Sequence, residues 1–137
     1  MKQCGECTLC CKIPKIAGLK PSDQWCKNCI IGKGCAIYDH RPKVCQDFAC
    51  RWLSDQDMPD AYRPDRVHFY VAPGNDSDEV FRVRVDTDYP EAWKDSPIVE
   101  AFLNQGKHVV VSVGWQITFL AGRGRPTPEK LVLEWIL

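Results

Sequence analysis

All nine cysteines of this 137-residue chain lie in its first fifty residues, and none lies beyond them. They occur in three blocks, Cys4-x2-Cys7-x2-Cys10-Cys11, Cys26-x2-Cys29-x5-Cys35 and Cys45-x4-Cys50. Cysteines that serve only as small apolar residues would be scattered through a core. Such segregation predicts that the thiolates perform chemistry, and metal binding is the first candidate.

The spacing within the blocks is typical of metal ligands. Two residues between cysteines let both sulfurs reach one ion, at about 2.3 Å for zinc, and iron–sulfur clusters use the same spacing. Three pairs have it, namely Cys4/Cys7, Cys7/Cys10 and Cys26/Cys29. Four thiolates complete one zinc site or one cubane, so nine cysteines suggest two four-sulfur sites and one thiol left over. The neighbours Cys10 and Cys11 suit two sites better than one, but the sequence alone does not pair the cysteines.

The charge and the hydropathy of the sequence limit which partners and which cellular compartment we expect. Eighteen Lys and Arg balance eighteen Asp and Glu, so no net field points to nucleic acid or to an acidic membrane. Residues 1–66 hold 11 Lys/Arg against 8 Asp/Glu, and this local excess suits a thiolate-rich site because positive charge lowers thiol pKa. We find no apolar signal region and no stretch near the roughly 20 apolar residues of a membrane span. We therefore expect a cytoplasmic protein with reduced thiols, and an odd cysteine count argues against a complete set of disulfides.

The composition and the apolar pattern of the sequence change at residues 54–64, a polar stretch rich in proline. The length predicts one compact domain over residues 1–137. Its first part, 1–62, is expected to consist of loops and short helices organised by metal. Its second part, 66–137, is expected to be a small, mostly antiparallel sheet with one helix, so the predicted fold class is α+β.

Periodicity predicts the individual elements. Apolar residues near i, i+4 and i+8, after a proline that suits a first turn, predict a helix from Pro42 to about Leu53. A second helix is expected within 90–105, starting either at its first residue or only at Pro97, with Gly106 as its stop. The predicted strands and turns are Val67–Val71, a turn at 73–76, Val80–Val85, Val109–Val113, a turn at Gly114, Ile117–Leu120 and a closing strand at Leu131–Leu137.

Several pieces of the first part resemble one bacterial family. They are Cys4-x2-Cys7-x2-Cys10-Cys11, Trp25-Cys26, Gly34-Cys35-Ala36-Ile37-Tyr38-Asp39-His40-Arg41-Pro42-x2-Cys45 and Phe48-x-Cys50-x-Trp52. Over about residues 4–53 the chain is similar to the CxxCxxCC family, described as a zinc- or iron-chelating domain. Gln46 and Ala49 depart from the arginine and proline that are common there, and neither change removes a sulfur. The family has no established common activity, although a related motif occurs in a flagellin lysine N-methylase.

The resemblance implies a set of eight ligands and leaves out Cys29, where many relatives carry an apolar residue. The implied ligands are Cys4, Cys7, Cys10, Cys11, Cys26, Cys35, Cys45 and Cys50. The first three also resemble the three-ligand run of bacterial ferredoxins, but no cysteine here precedes a proline as the fourth ferredoxin ligand does. We expect two zinc ions, with an iron–sulfur cluster as the alternative.

Closed four-thiolate sites restrict the function. They leave no open position for a substrate water, so the metals are expected to be structural or electron-carrying rather than hydrolytic. No nucleophile elbow, P-loop or dinucleotide fingerprint is present, and no catalytic residue is predicted. The leading interpretation is a zinc-stabilised accessory module for a protein partner that the sequence does not identify. An iron–sulfur redox accessory protein and a metallochaperone are the alternatives.

Four weaker signals have simpler explanations. His40 could complete a Cys3His site, and Cys29, if unligated, could act as a nucleophile. The acidic residues within 55–60 suggest a hard cation, and the Gly-Arg-Gly-Arg at 122–125 suggests a phosphate contact. In each case a solvated or structural role is the simpler interpretation.

Overall fold

A computed structural model describes residues 2–72 and 79–126. Within these residues the chain forms four helices and two sheets, which confirms the predicted α+β class. The helices are α1 (Lys43–Asp47), α2 (Arg51–Ser54), α3 (Pro64–Val67) and α4 (Pro97–Asn104), and 3-10 turns lie at Leu9–Cys11, Tyr38–His40 and Asp60–Tyr62. The strands are β1 (Cys29–Ile30), β2 (Gly34–Cys35), β3 (Phe69–Val71), β4 (Val80–Val85), β5 (His108–Val113) and β6 (Gln116–Leu120). No helix of the described ranges has the length and apolar character that crossing a membrane requires.

The four strands β3 to β6 form one sheet in sequence order. The pairs β3–β4 and β5–β6 are antiparallel, while β4 and β5 are parallel. A parallel pair needs a crossover connection, and α4 lies in that connection. The remaining strands, β1 and β2, form a separate antiparallel ribbon in which Cys29 is opposite Cys35.

One face of the large sheet builds the hydrophobic core. Side chains alternate between the two faces of a strand, so Phe81 and Val83 of β4 share the face that α4 covers. The rings of Phe81 and Phe102 stack with their centroids 4.0 Å apart. Val83, Val109 and Val111 are at most 1% exposed, and burying each side chain contributes about 1.5–3 kcal/mol.

The cysteine-rich part packs against β3, an edge strand, through α2, α3 and the turn Leu9–Cys11. Leu9 and Trp52 are buried there and belong to the core. The Lys2 ammonium donates to the carbonyl oxygens of Trp52 at 3.0 Å and of Asp55 at 2.6 Å. The start of the chain therefore lies against the end of α2, and this packing helps to cover a sheet edge.

Most of the predicted elements of the second part are confirmed. The hairpin forms between β3 and β4, although Val67 belongs to α3 rather than to the strand. The second helix starts at Pro97, the later of its two predicted starts, and stops before Gly106, whose φ is +76°. Strands β5 and β6 flank Gly114, as expected. The turn at 73–76 and the closing strand at Leu131–Leu137 lie outside the described residues.

The prediction of a single helix from Pro42 to Leu53 is wrong. Helices α1 and α2 are separated at Phe48, whose backbone is extended with φ −80° and ψ 127°. Its ring packs edge-on against Tyr70 of β3, with the centroids 5.5 Å apart. Tertiary packing of this kind outweighs a helical pattern of apolar residues. Cys50, which precedes α2 in extended conformation, is buried.

His108 is a buried histidine of β5 whose neutral form suits its surroundings. It is 4% exposed, and its Nδ1 accepts a hydrogen bond from the backbone N–H of Gly122 at 3.1 Å. Burial and then the charge of Arg125 lower the pKa of His108, while Glu79 opposes them. As the pH falls, the unfolded chain therefore binds a proton at this residue before the folded chain does. The fold should lose stability below about pH 6.5, the usual histidine value.

The variant His108→Asn tests this pH dependence, since it keeps an acceptor oxygen near the position of Nδ1 but cannot be protonated. We expect the wild type to lose stability relative to the variant, by on the order of 1 kcal/mol between pH 7 and pH 5. Urea unfolding of both proteins at the same metal loading measures the difference. Acid effects at the cysteines are common to both chains and cancel. If the stability difference between the two proteins does not change with pH, protonation of His108 is not the cause of the acid destabilisation.

Candidate metal centre

Backbone turns shape two of the three Cys-x2-Cys pairs. The N–H of Cys7 donates to the carbonyl of Cys4 at 2.8 Å, and that of Cys29 donates to Cys26 at 3.0 Å. Gly5, inside the first turn, has a φ of +54°, a conformation that glycine adopts without steric cost. Each turn reverses the chain between two cysteines, which is the backbone shape that this ligand spacing uses.

Five thiols gather around the β1–β2 ribbon, and we name them the hairpin cluster. Its members are Cys11, Cys26, Cys29, Cys35 and Cys45. The N–H of Cys26 donates to the carbonyl of Cys11 at 2.9 Å. The thiol of Cys29 hydrogen-bonds to that of Cys11, and Cys29 pairs with Cys35 across the ribbon. Cys45, in α1, completes the cluster, since three other members act electrostatically on its thiol.

The other four thiols form the terminal cluster, between the start of the chain and α2. Its members are Cys4, Cys7, Cys10 and Cys50. Cys50 acts electrostatically on both Cys4 and Cys7, and Cys10 and Cys50 both act on the buried Tyr70. Cys11 acts on Cys4 and hydrogen-bonds to Cys10, so the two clusters adjoin. We group Cys10 with Cys50 because both act on Tyr70, although Cys10 also interacts directly with Cys11 of the hairpin cluster.

Burial makes most of these thiols weak acids. It raises the pKa of Cys7 to about 11 and that of Cys29 to about 12. For Cys11, the hydrogen bond with Cys10 is the largest cause of a raised pKa, and burial is the second. Burial also raises the pKa of three further thiols, Cys4, Cys45 and Cys50. These thiols are therefore protonated near neutral pH, and metal binding would release their protons.

Positive side chains accompany the clusters. Lys20 is 7% exposed, and its ammonium donates to two backbone carbonyls, that of Lys12 at 2.9 Å among them. Burial lowers the pKa of Lys20, and Asp23 and the ionised forms of the neighbouring hairpin-cluster thiols oppose that change. Arg41 favours the thiolate forms of Cys4 and Cys45 against the larger effect of burial. The local basic excess thus lies where thiolates need it, but sequence reasoning missed Lys20, because lysine is seldom buried.

Apart from Cys29, the weaker candidate residues from the sequence lie outside the two cysteine clusters as we define them. The arginines of residues 122–125 form ion pairs with Glu79 and Glu100. Asp55 and Asp57 belong to a loop in which the Asp55 carboxylate accepts a hydrogen bond from the backbone N–H of Asp57 at 3.0 Å, and Asp60 begins a 3-10 turn. His40 is exposed at the end of its 3-10 turn.

The two clusters have the right ligand chemistry without the geometry of a coordination shell. Thiolates are the ligands that structural zinc and iron–sulfur clusters use most, and these clusters supply nine. Within residues 2–72 and 79–126, however, no three Cys, His, Asp or Glu side chains come close enough together to hold an ion. The backbone gathers the thiols, and reorientation of side chains on short loops would have to complete a site.

Comparison with protein-family models, with curated proteins and with solved structures gives no match to this chain. The arrangement of its own cysteines therefore has to support any functional conclusion.

Proposed function

We propose that the chain binds two zinc ions through eight thiolates, four in each cluster. The terminal cluster would use Cys4, Cys7, Cys10 and Cys50, and the hairpin cluster would use Cys11, Cys26, Cys35 and Cys45. The observation that supports this proposal is that the nine thiols divide into a group of five and a group of four by their mutual electrostatic interactions, and that each group contains four of the eight ligands implied by the CxxCxxCC resemblance. Membership of that family is part of the proposal. Cys29 is then the fifth thiol of the hairpin cluster and is not required for a complete site.

Bound zinc would supply links that the first part of the chain lacks. Its regular elements are short, and the longest of them, α1, has five residues. One ion would join the start of the chain to the residue before α2, and the other would join the ribbon to α1. Because the free energy of binding such ions is folding free energy, we expect a chelator to unfold this part of the protein.

An accessory role in binding another protein follows from the closed shells and from the surface. Four thiolates around each ion leave no position for substrate water. Large apolar side chains of the cysteine-rich part are exposed by half or more, namely Ile30 (51%), Ile31 (60%), Tyr38 (60%) and Val44 (57%). If these side chains form one contiguous patch, it would be of the kind that marks protein–protein contacts. We therefore propose a zinc-stabilised interaction module that acts in the cytoplasm, where thiols stay reduced.

An iron–sulfur cluster is the second candidate, and one observation favours it. The ferredoxin-like run of Cys4, Cys7 and Cys10 lies within the terminal cluster, together with the more distant Cys50. A cubane takes four thiolates of this kind and would give the protein an electron-carrying role.

The metal and sulfide content of the full chain, purified without oxygen, distinguishes the two candidates. For the zinc module we expect about two zinc per chain, no acid-labile sulfide and no visible absorption. Iron with matching sulfide and a broad band near ~400 nm would instead establish the iron–sulfur protein. A chain that retains neither metal after dialysis would overturn both.

A further inference from the structure

Cys29 lies among thiols that the proposed zinc sites use, although it is not a proposed ligand itself. It belongs to β1 of the ribbon, whose register places it opposite Cys35 of β2. Asn28 and Ala36 continue this register, and the N–H of Ala36 donates to the carbonyl of Asn28 at 2.7 Å. Hydrogen-bonded and non-hydrogen-bonded pairs alternate along an antiparallel ribbon. Cys29 and Cys35 are therefore a non-hydrogen-bonded pair.

This position suits a disulfide across the ribbon. The Cα atoms of a non-hydrogen-bonded pair are typically about 4.5 Å apart, and both side chains leave the ribbon on the same face. Disulfides join residues whose Cα atoms are roughly 4.4–6.8 Å apart. A bond between Cys29 and Cys35 would therefore require little movement of the backbone.

A second proposed ligand, Cys11, also contacts Cys29. The thiols of these two residues hydrogen-bond to each other. Two further hydrogen bonds hold their segments together, from the N–H of Cys26 to the carbonyl of Cys11 at 2.9 Å and from the N–H of Gly32 to Thr8 Oγ1 at 3.1 Å. Cys29 therefore has two proposed zinc ligands as neighbours.

The hairpin cluster lies near the surface, and the terminal cluster has no counterpart of Cys29. Cys29 is half-buried, and the next two residues of the ribbon, Ile30 and Ile31, are exposed. A small oxidant such as hydrogen peroxide therefore has a short path to this cluster. The terminal cluster contains four thiols, and its proposed zinc site uses all of them. Only the hairpin cluster thus has a thiol that can form a disulfide with a ligand of its own site.

We propose that Cys29 is an oxidation site, at which hydrogen peroxide joins its sulfur to that of Cys11 or Cys35 and thereby releases the zinc ion of the hairpin cluster. A disulfide sulfur is no longer a thiolate, so the ion would lose one of its four ligands. The release of zinc rests on the proposed function, whereas the disulfide requires only the position of Cys29.

The oxidation takes two steps. The zinc-bound thiolate of the partner cysteine attacks one oxygen of the peroxide, the O–O bond breaks, and a sulfenic acid and a hydroxide ion form. The thiol of Cys29 then attacks the sulfenic sulfur. The S–S bond forms, the S–O bond breaks, and the hydroxyl group leaves as water with the thiol proton. The two sulfurs together lose two electrons, and the peroxide gains them.

Treatment of the zinc-loaded full chain with a small excess of hydrogen peroxide tests the proposal. A chromophoric indicator follows the zinc, and mass spectrometry after alkylation of the free thiols maps the disulfides. We expect release of about one of the two zinc ions, with Cys29 linked to Cys11 or Cys35 and the other hairpin thiols alkylated. A thiol reductant should restore zinc binding, because a disulfide is reducible and a sulfinic acid is not. Zinc loss with only a disulfide that excludes Cys29, such as Cys10–Cys11, would overturn the proposal.

The variant Cys29→Ser isolates the contribution of this thiol. It should retain both zinc ions and release the hairpin ion about tenfold more slowly than the wild type at the same peroxide concentration, because no thiol is positioned to react with the sulfenic acid. Equal rates in the two proteins would overturn the proposal. Cys29→Ala makes the same comparison if the serine variant fails to fold. A chain purified without zinc would overturn the proposed function, and its disulfide map after peroxide would still decide whether Cys29 is the oxidation site.

Discussion

The Cys4→Ser variant is expected to bind about one zinc per chain where the wild type binds about two. The substitution removes one of four ligands from the terminal cluster, and a serine hydroxyl does not replace a thiolate at zinc. The hairpin cluster contains none of the terminal ligands and should keep its ion. Cys4 is exposed, so the substitution removes little packing. Elemental analysis after dialysis measures the loss of zinc. Cys35→Ser should also bind about one zinc per chain, because it removes a ligand from the hairpin cluster.

The identity of the thiols that become reactive tests the grouping itself. In Cys4→Ser, alkylation followed by mass spectrometry should label the remaining terminal thiols and leave the hairpin thiols protected. In Cys35→Ser the pattern should be reversed. Labelling spread equally over both clusters in either variant would contradict two independent sites.

Cys29→Ser is the matched control, because it changes a thiol of the hairpin cluster that the eight-ligand set leaves out. It should keep both ions. The result matters because the thiol of Cys29 hydrogen-bonds to that of Cys11, so contact alone does not distinguish a ligand from a neighbour. Loss of one ion from Cys29→Ser would contradict the proposed set of eight ligands, but it would not contradict the division of the thiols into two clusters.

Local pattern was sufficient to predict most elements of the second part. Alternation of apolar residues predicts β4 because the two faces of this strand differ, with Val83 on the core face and Arg84 on the other face. Gly106 ends α4 because it adopts a φ of +76°, which other residues avoid. Alternation does not choose a partner strand, however. The parallel pairing of β4 with β5 depends on the crossover through α4, and the sequence pattern does not specify it.

The break between α1 and α2 shows where local pattern fails. The apolar spacing around Phe48 fits a helix, but this ring contacts Tyr70, which is far away in sequence. Contacts of that range are set by the path of the whole chain, and a helical period cannot reveal them.

The same distinction holds at the candidate site. Cysteine spacing predicts that the thiols bind metal and the family resemblance implies which eight are ligands, but their grouping depends on long-range contacts. The backbone hydrogen bond between Cys26 and Cys11 joins residues in different blocks, and the docking of Lys2 against α2 brings the first cysteines near Cys50. The sequence pattern does not reveal the buried lysines either, since Lys12 and Lys20 resemble ordinary surface residues between cysteine blocks.

Lys12→Met should destabilise the metal-loaded protein by about 3–5 kcal/mol, because removing one partner of a buried ion pair strands the other charge. The Lys12 ammonium pairs with the Asp86 carboxylate, and both side chains are 6% exposed. It also pairs with Asp88 at 2.6 Å, so this one side chain links the cysteine-rich part to the segment after β4. Methionine fills similar space without the charge. Urea unfolding, with metal content checked in parallel, measures the loss.

Two further variants separate a stranded buried charge from the mere loss of a lysine. Lys43→Met breaks a pair of 3.0 Å with Asp47 in which the lysine side chain is 86% exposed, and exposed pairs of this kind contribute about 0.2–1 kcal/mol at most. Adding Asp86→Asn to Lys12→Met removes the stranded charge and keeps an oxygen for the N–H of Asp88, which donates to Asp86 at 3.0 Å. The double variant should therefore recover at least about half of the lost stability, since replacing both charges costs far less than replacing one. A double variant no more stable than Lys12→Met would show that packing around the lysine stem, rather than the buried pair, holds the two parts together.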